Sequence, residues 1–283
     1  MKQLMYAAPF TGKSHFAARA VRELGGIVLD TDDNWHELGV PYATDEELAK
    51  GDVSLLKGKV VYVPVEKIDR AIKICNLLRD EHIKGNTVTP LLVWDGHTEY
   101  QRKQGLLFAE KRASESKTGN VSDMSLDQKG WDYLLRSHVK LNAQMNPSVT
   151  GANLYATARM REAYNPIDSA MNEYRPKLDG SMKDDIEAYY SIVTPMFKFS
   201  KGKRITRRVY FHPDEHPDTM VSFAVGVRGE DSTLKGVFPA YTDSIVEYTD
   251  DGLKVIEPGL DLLDMLIMTG EIDAPKKKKE EAA

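Results

Sequence analysis

A chain of 283 residues, 41% hydrophobic and 29% charged, can bury one large core or two modest ones, which excludes a collagenous, disulfide-stapled or wholly disordered protein. The formal net charge of -5 argues against a uniformly basic nucleic-acid coat, although the cations cluster locally in 198–208 and 276–279. No apolar run is long enough to span a bilayer and the first residues lack a secretory pattern, so a cytoplasmic protein without a membrane partner is expected.

The chain opens on a short apolar strand, Gln3 to Tyr6, then Ala7-Ala8-Pro9-Phe10-Thr11-Gly12-Lys13-Ser14, then a helical run from His15 to Leu24 closed by Gly25-Gly26. This is the strand, G-x-x-x-x-G-K-[ST] loop and helix of a phosphate-binding loop. Backbone N–H groups and the positive helix end can wrap a polyphosphate, which makes Ala8, Pro9, Phe10, Thr11, Gly12, Lys13, Ser14 and His15 the candidate ATP-binding segment. Lys13 is expected to reach the β- and γ-phosphates and Ser14 to coordinate Mg2+. Ala7 replaces the first glycine, so the loop is expected to lose one residue tolerant of positive φ. A chance Gly-Lys-Ser on an ordinary strand-turn-helix is the structural alternative.

Gly26 to Asp33 reads as a buried strand running into acids, and the carboxyl ends of parallel strands are where functional groups collect. Asp30, Asp32 and Asp33 are candidates to orient an attacking water or bind magnesium through water; a helix cap or solvated turn before Trp35 is the alternative. Residues 34–58 read as loop with a capping box at Thr44, followed by a strand at 59–65 and an amphipathic helix from Glu66 to His82. Cys75, the single cysteine, falls on the apolar stripe of that helix and reads as a small hydrophobe. Leu91 to Trp94 followed by Asp95 resembles a Walker B strand whose carboxylate holds magnesium-bound water. A polar stretch, 97–125, begins as a helix and ends as a loop.

Leu126 to Met145 is read as a helix with Trp131, Leu134, Leu135, Val139 and Leu141 inward, and Ala152 to Arg159 as a buried strand. Thr157 and Arg159 near its end suit sensing of a γ-phosphate, with coverage of the sheet edge as the alternative. Residues 165–182 read as a surface loop, 183–193 as a helix, and Arg207 to Phe211 and Val221 to Val227 as strands paired through a turn carrying His212 and His216. That turn reads as solvated rather than metal-binding. Lys198 to Arg208 is a candidate DNA contact or in-trans cation, or else a solvated hairpin arm. Glu257 to Gly270 reads as a closing helix, and 271–283 as a charged, disordered tail after one domain spanning 1–270.

These motifs, taken in order, resemble the phage-encoded RecA-like P-loop ATPases, the group that includes single-strand annealing proteins of bacteriophage recombination. The resemblance rests on Tyr6 to Ser14, Val28 to Asp32, Leu92 to Asp95, and Leu154 to Glu162 followed by Pro176 to Gly180. It implies an α/β fold with a RecA-like P-loop NTPase core: a mostly parallel sheet flanked by helices, with late antiparallel strands. It also implies ATP and Mg2+ as cofactors, with Lys13, Asp32 and Asp95 catalytic and Ser14 and Asp95 at the metal. Asp32 takes a position where glutamate is more usual, which implies slow or partner-dependent hydrolysis. The resemblance further implies single-stranded DNA facing loops near 113–125 and 163–182, with Arg161, Tyr164, Tyr174, Arg175 and Lys177 the best candidates for contact. Rings or filaments of the same chain, a single-strand-binding protein as partner and a bacterial host cytoplasm follow from the same likeness. Two other readings stand beside it: a nucleotide or small-molecule kinase, and a non-catalytic protein whose assembly ATP stabilises.

Overall fold

Alternation along the first strand sets the architecture. In β1 (Lys2–Ala7), Leu4 and Tyr6 enter one apolar layer while Met5 and Ala7 enter the other, and all four are fully buried. The sheet of this computed structural model is therefore covered on both faces; the structure describes residues 1–115, 126, 128–164, 172–180, 182–211, 221–223, 226–227, 236–250 and 252–273. One layer holds α1 (Lys13–Leu24) and α8 (Leu262–Met268), packed through Phe16, Val21, Leu263 and Leu266. Arg19 ties the two helices by ion pairs to Asp261 and Asp264.

β2 (Ile27–Asp30) is followed by α2 (Asp45–Ala49), β3 (Val60–Tyr62) and α3 (Arg70–Ile83). Then come β4 (Leu91–Asp95), α4 (His97–Glu115), α5 (Gln128–Gln144), α6 (Pro147–Thr150) and β5 (Asn153–Tyr164). The expected capping box is present at Thr44, and Cys75 is buried with its thiol pushed up to about 12 by desolvation. The second half contributes β6 (Asn172–Pro176), α7 (Met182–Asp185), β7 (Ile192–Lys201), β8 (Arg204–Tyr210), β9 (Val221–Phe223), β10 (Gly226–Val227), β11 (Tyr241–Thr249) and β12 (Gly252–Glu257). Along the sheet the order is β12-β11-β8-β7-β1-β5-β4-β2-β3. Pairing is parallel from β7 to β3 and antiparallel from β7 out to β12, which is the mostly parallel sheet with late antiparallel strands anticipated above.

Several local expectations change. The helix expected over 183–193 is replaced by α7, a 3-10 turn at Ile186–Tyr189 and the start of β7, which lies directly beside β1. Pro195 obscured this strand, because proline rarely sits inside a sheet. It is accommodated here since β10 pairs with Ile192 and Val193 while β8 pairs from Met196 onward, leaving Pro195 between the two partners. The loop expected over 165–182 contains β6, which extends β5 as an antiparallel pair, and residues 165–171 lie outside the described residues. β8 pairs with β7 and β11 rather than with β9, so the expected hairpin across His212 and His216 does not form; those two histidines, residues 116–125 and residues 274–283 of the expected tail lie outside the described residues. The closing helix is shorter than the expected Glu257 to Gly270, since Glu257 ends β12 and Asp261 caps α8 at Leu262.

In α5 the buried stripe is Leu134, His138, Leu141 and Asn142, while Trp131 and Val139 are exposed. Asn142 is used there, since the Tyr190 hydroxyl donates to its Oδ1 at 3.1 Å, while His138 is held as an aromatic ring against Trp94, His97 and Tyr100. Among the described residues neither ring nitrogen of His138 finds a hydrogen-bond partner, and burial pushes its pKa down to about 3. The unfolded chain binds the proton near pH 6.5, so this contribution to stability is complete above that value and drains as pH falls towards 3, at about 1.4 kcal/mol per unit. Urea unfolding at pH 7 and pH 5 is expected to show an acid loss smaller by about 2 kcal/mol in His138→Leu. An identical acid loss in the variant would show that His138 is not held neutral.

Candidate active site

Because β1, β2, β4 and β5 are parallel, their carboxyl ends fall on one edge of the sheet, and β5 separates the phosphate-loop strand from the acidic strand β4. Ala8 to Gly12 emerge there from β1, and α1 begins at Lys13. Gly12 sits at φ +113°, and a side chain at that point would meet the Arg207 guanidinium at 3.0 Å. Ala7, by contrast, ends β1 in extended backbone, so the lost glycine removes nothing this loop uses. The positive φ has moved to Phe10 (58°), whose side chain is 90% exposed.

Lys13 is buried, with Nζ 3.3 Å from the carbonyl oxygens of both Ala7 and Ala8; desolvation lowers its pKa, opposed by the nearby Asp95 and Asp32 carboxylates. Asp95 is the hub of the site. Its Oδ2 accepts from the Ser14 hydroxyl at 2.6 Å and the Trp35 indole at 2.7 Å, while Oδ1 accepts from the Thr157 hydroxyl. Thr157 also accepts from the Gly96 N–H at 2.9 Å, which places it behind Asp95 and inside the sheet. Gly96 itself has no alternative, since a Cβ there would lie 2.3 Å from Thr31 Oγ1, the group that ties the end of β4 to the end of β2.

The three acids after β2 separate by role. Asp30 is fully buried and accepts from the N–H groups of Asp32, Asp33 and Asn34 and from the Tyr42 hydroxyl, so it shapes the loop. Burial beside Asp95 pushes it up to about 7, the hydrogen bonds pulling the other way. Asp33 pairs with exposed His36. Asp32 faces the cleft, its carboxyl pushed upward by burial first and by Asp95 second, with Arg159 at 3.5 Å opposing the shift. Arg159 spans to Glu99 at 3.4 Å, and Glu99 is also paired with Arg102.

A cleft of about 500 Å3 is lined by the loop residues Pro9 to His15 apart from Thr11, together with Asp32, Asp95, Arg159 and Arg207. Three cations, Lys13, Arg159 and Arg207, thus face one space with the carboxylates of Asp32, Asp33, Glu37 and Asp95 and the Ser14 hydroxyl, a donor set that fits a polyphosphate with a divalent ion. The structure brings Lys13, Ser14, Asp32, Asp95 and Arg159 together. It sets Arg161, Tyr174 and Arg175 on the β5–β6 extension, where Arg161 is opposite Arg175, Tyr164 is opposite Asn172 by backbone pairing, and Lys177 N–H bonds Arg159 O. Sequence reasoning missed Trp35, Glu99 and the cis position of Arg207; only Arg207 carried a signal, its place in a basic run.

Fold and site together define an α/β protein whose mostly parallel sheet, with late antiparallel strands, carries a Gly-Lys-Ser loop and an acidic strand end on one edge. No protein-family model matches the sequence, and no curated protein matches it. Among solved structures, a KaiC-like protein from the archaeon Pyrococcus horikoshii is 14% identical, with 89% of this chain and 88% of that one covered and a TM-score of 0.35. The flagellar accessory protein FlaH from Methanocaldococcus jannaschii is 10% identical, with 89% and 88% covered and a TM-score of 0.32. The RadB recombinase is 10% identical, with 90% of each chain covered and a TM-score of 0.39. Among the described residues no helix is long and apolar enough to cross a membrane.

Proposed function

We propose that this chain is an ATPase that acts on single-stranded DNA, in annealing or strand exchange during phage recombination or replication. The observation that carries the enzymatic part is the convergence of Lys13, Ser14, Asp32, Asp95, Arg159 and Arg207 on one cleft at the carboxyl edge of a parallel sheet. Bound ATP and Mg2+ supply the phosphoanhydride and the divalent charge. Ala8 to His15 would hold the phosphates and Ser14 and Asp95 the metal ion. Lys13, desolvated against its own loop, carries a cation that a phosphate can attract away from two neutral carbonyls. Asp32, with its raised pKa, is placed to hold and accept a proton from a water, and Arg159 keeps its carboxyl oriented. Thr157 acts through Asp95 as its positioning residue.

Phosphate release from ATP, followed with and without oligo(dT), tests this reading. Release stimulated several-fold by single strands, with DNA affinity falling steeply with salt, is the expected result. Release without any DNA binding removes the DNA part. Bound nucleotide with negligible release and a nucleotide-dependent change of mass selects the assembly reading, and transfer to an acceptor other than water selects the kinase.

A further inference from the structure

We propose that single-stranded nucleic acid lies across one face of the β7–β8–β11 sheet, stacked on Phe199 and Tyr241 and held by Lys201 and Arg204. The proposal rests on the reading of this chain as a DNA-dependent ATPase and gives its DNA a binding surface.

Residues directly opposed on antiparallel strands share a face. Phe197 lies opposite Arg208 and Arg208 opposite Asp243; Phe199 lies opposite Thr206; Lys201 lies opposite Arg204; Tyr210 lies opposite Tyr241. All therefore look out from the same side. Ring centroids run Tyr174 to Phe197 at 5.5 Å, Phe197 to Tyr210 at 5.9 Å and Tyr210 to Tyr241 at 6.0 Å, a continuous aromatic row across four strands. Tyr210 is buried within it, whereas Phe199 is 45% and Tyr241 39% exposed. The Arg208 guanidinium lies 4.0 Å from the Tyr241 ring centroid and is locked by paired 2.7 Å bonds to Asp243, so this stacking surface is ordered before any base arrives.

Charge identifies the occupant. Residues 198–208 hold six cations and no acid in a chain whose net charge is -5. On the aromatic face, Lys201 and Arg204 form no ion pair with a described residue and both are exposed; Glu247, opposite Arg204, is the acid of that row. Interleaved aromatic and basic side chains suit a single strand, whose bases are free to stack while its phosphates meet the cations. The alternate face of β8 supplies the link to the cleft: Arg207 Nε donates to Thr11 O at 2.8 Å and packs against Gly12. One strand thus touches the phosphate loop with Arg207 and presents Arg204 and Arg208 to the platform.

Fluorescence anisotropy with fluorescein-labelled oligo(dT), on the full chain over a range of salt, tests the surface. In F199A/Y241A, binding should weaken at least roughly tenfold at fixed salt, since each stacked base accounts for a factor of about 5 to 150. In K201Q/R204Q, the slope of log affinity against log salt should fall by about 1.4, at about 0.7 per phosphate contact of a single strand. Phosphate release in the absence of DNA should be unchanged in both, because none of the four residues lines the cleft. Wild-type binding retained in both variants, or loss confined to the cation variant, would overturn the platform while leaving the DNA-dependent ATPase standing. A wild type that binds no oligonucleotide at any salt would overturn both.

Discussion

Lys13→Ala will lower magnesium-dependent phosphate release from ATP by about 10²-fold or more without unfolding the protein. The rate effect has the size found when one preorganised electrostatic group is removed from a desolvated site, about 3–4 kcal/mol. Stability should hardly change, for a different reason. The ammonium is buried and its pKa is depressed by desolvation, so the fold already bears the cost of keeping it there, with two long 3.3 Å bonds to carbonyl oxygens in return. Stopped-flow phosphate release beside thermal unfolding separates the two effects. Release equal to wild type would show that phosphate chemistry does not run from this loop.

Asp95 should behave differently, because it is both a charge and the acceptor for two buried donors and for the half-buried Ser14 hydroxyl. Asp95→Ala strands the buried Trp35 Nε1 and Thr157 Oγ1, each costing about 1–3 kcal/mol when left unpaired, so a loss of about 2 kcal/mol or more is expected. Asp95→Asn can turn its carbonyl towards Trp35 and Ser14 and its amide towards Thr157, whose hydroxyl also serves as an acceptor. That variant should lose only about 1 kcal/mol, yet its phosphate release should fall as far as in Lys13→Ala, because the carboxylate charge is gone. Urea denaturation and phosphate release on both variants decide the matter. Near-normal turnover in Asp95→Asn would reduce Asp95 to a structural acceptor.

The parts of the cleft legible in the sequence are those built by consecutive residues. The strand, turn glycine, lysine and helix start at Lys2 to Leu24 were legible because they lie within a single short run, and their geometry is local. Asp95 was legible because an apolar run buried on both faces can end in a carboxylate only at the sheet edge. Trp35 gave no such signal, since an indole after a polar turn looks like any core aromatic until its N–H is found on Asp95. Arg159 read as a sensor or an edge cover; its pairing with both Asp32 and Glu99 depends on how β5, the turn after β2 and the start of α4 converge. Pro195 concealed β7, the strand against which β1 is laid, because the gap between β10 and β8 that tolerates it is a property of the assembled sheet.

Local chemistry therefore settled the strand–turn–helix at Gly12-Lys13-Ser14, the acidic strand end and the alternating burial that puts helices on both faces, since each follows from spacing along the chain. Chain folding over long separations settled the rest. Thr11 and Arg207 stand 196 positions apart, and no periodicity in either segment encodes their 2.8 Å bond. Only the register of β8 against β7, and of β7 against β1, carries that guanidinium to the loop and leaves the opposite face of the same strand its row of aromatic rings.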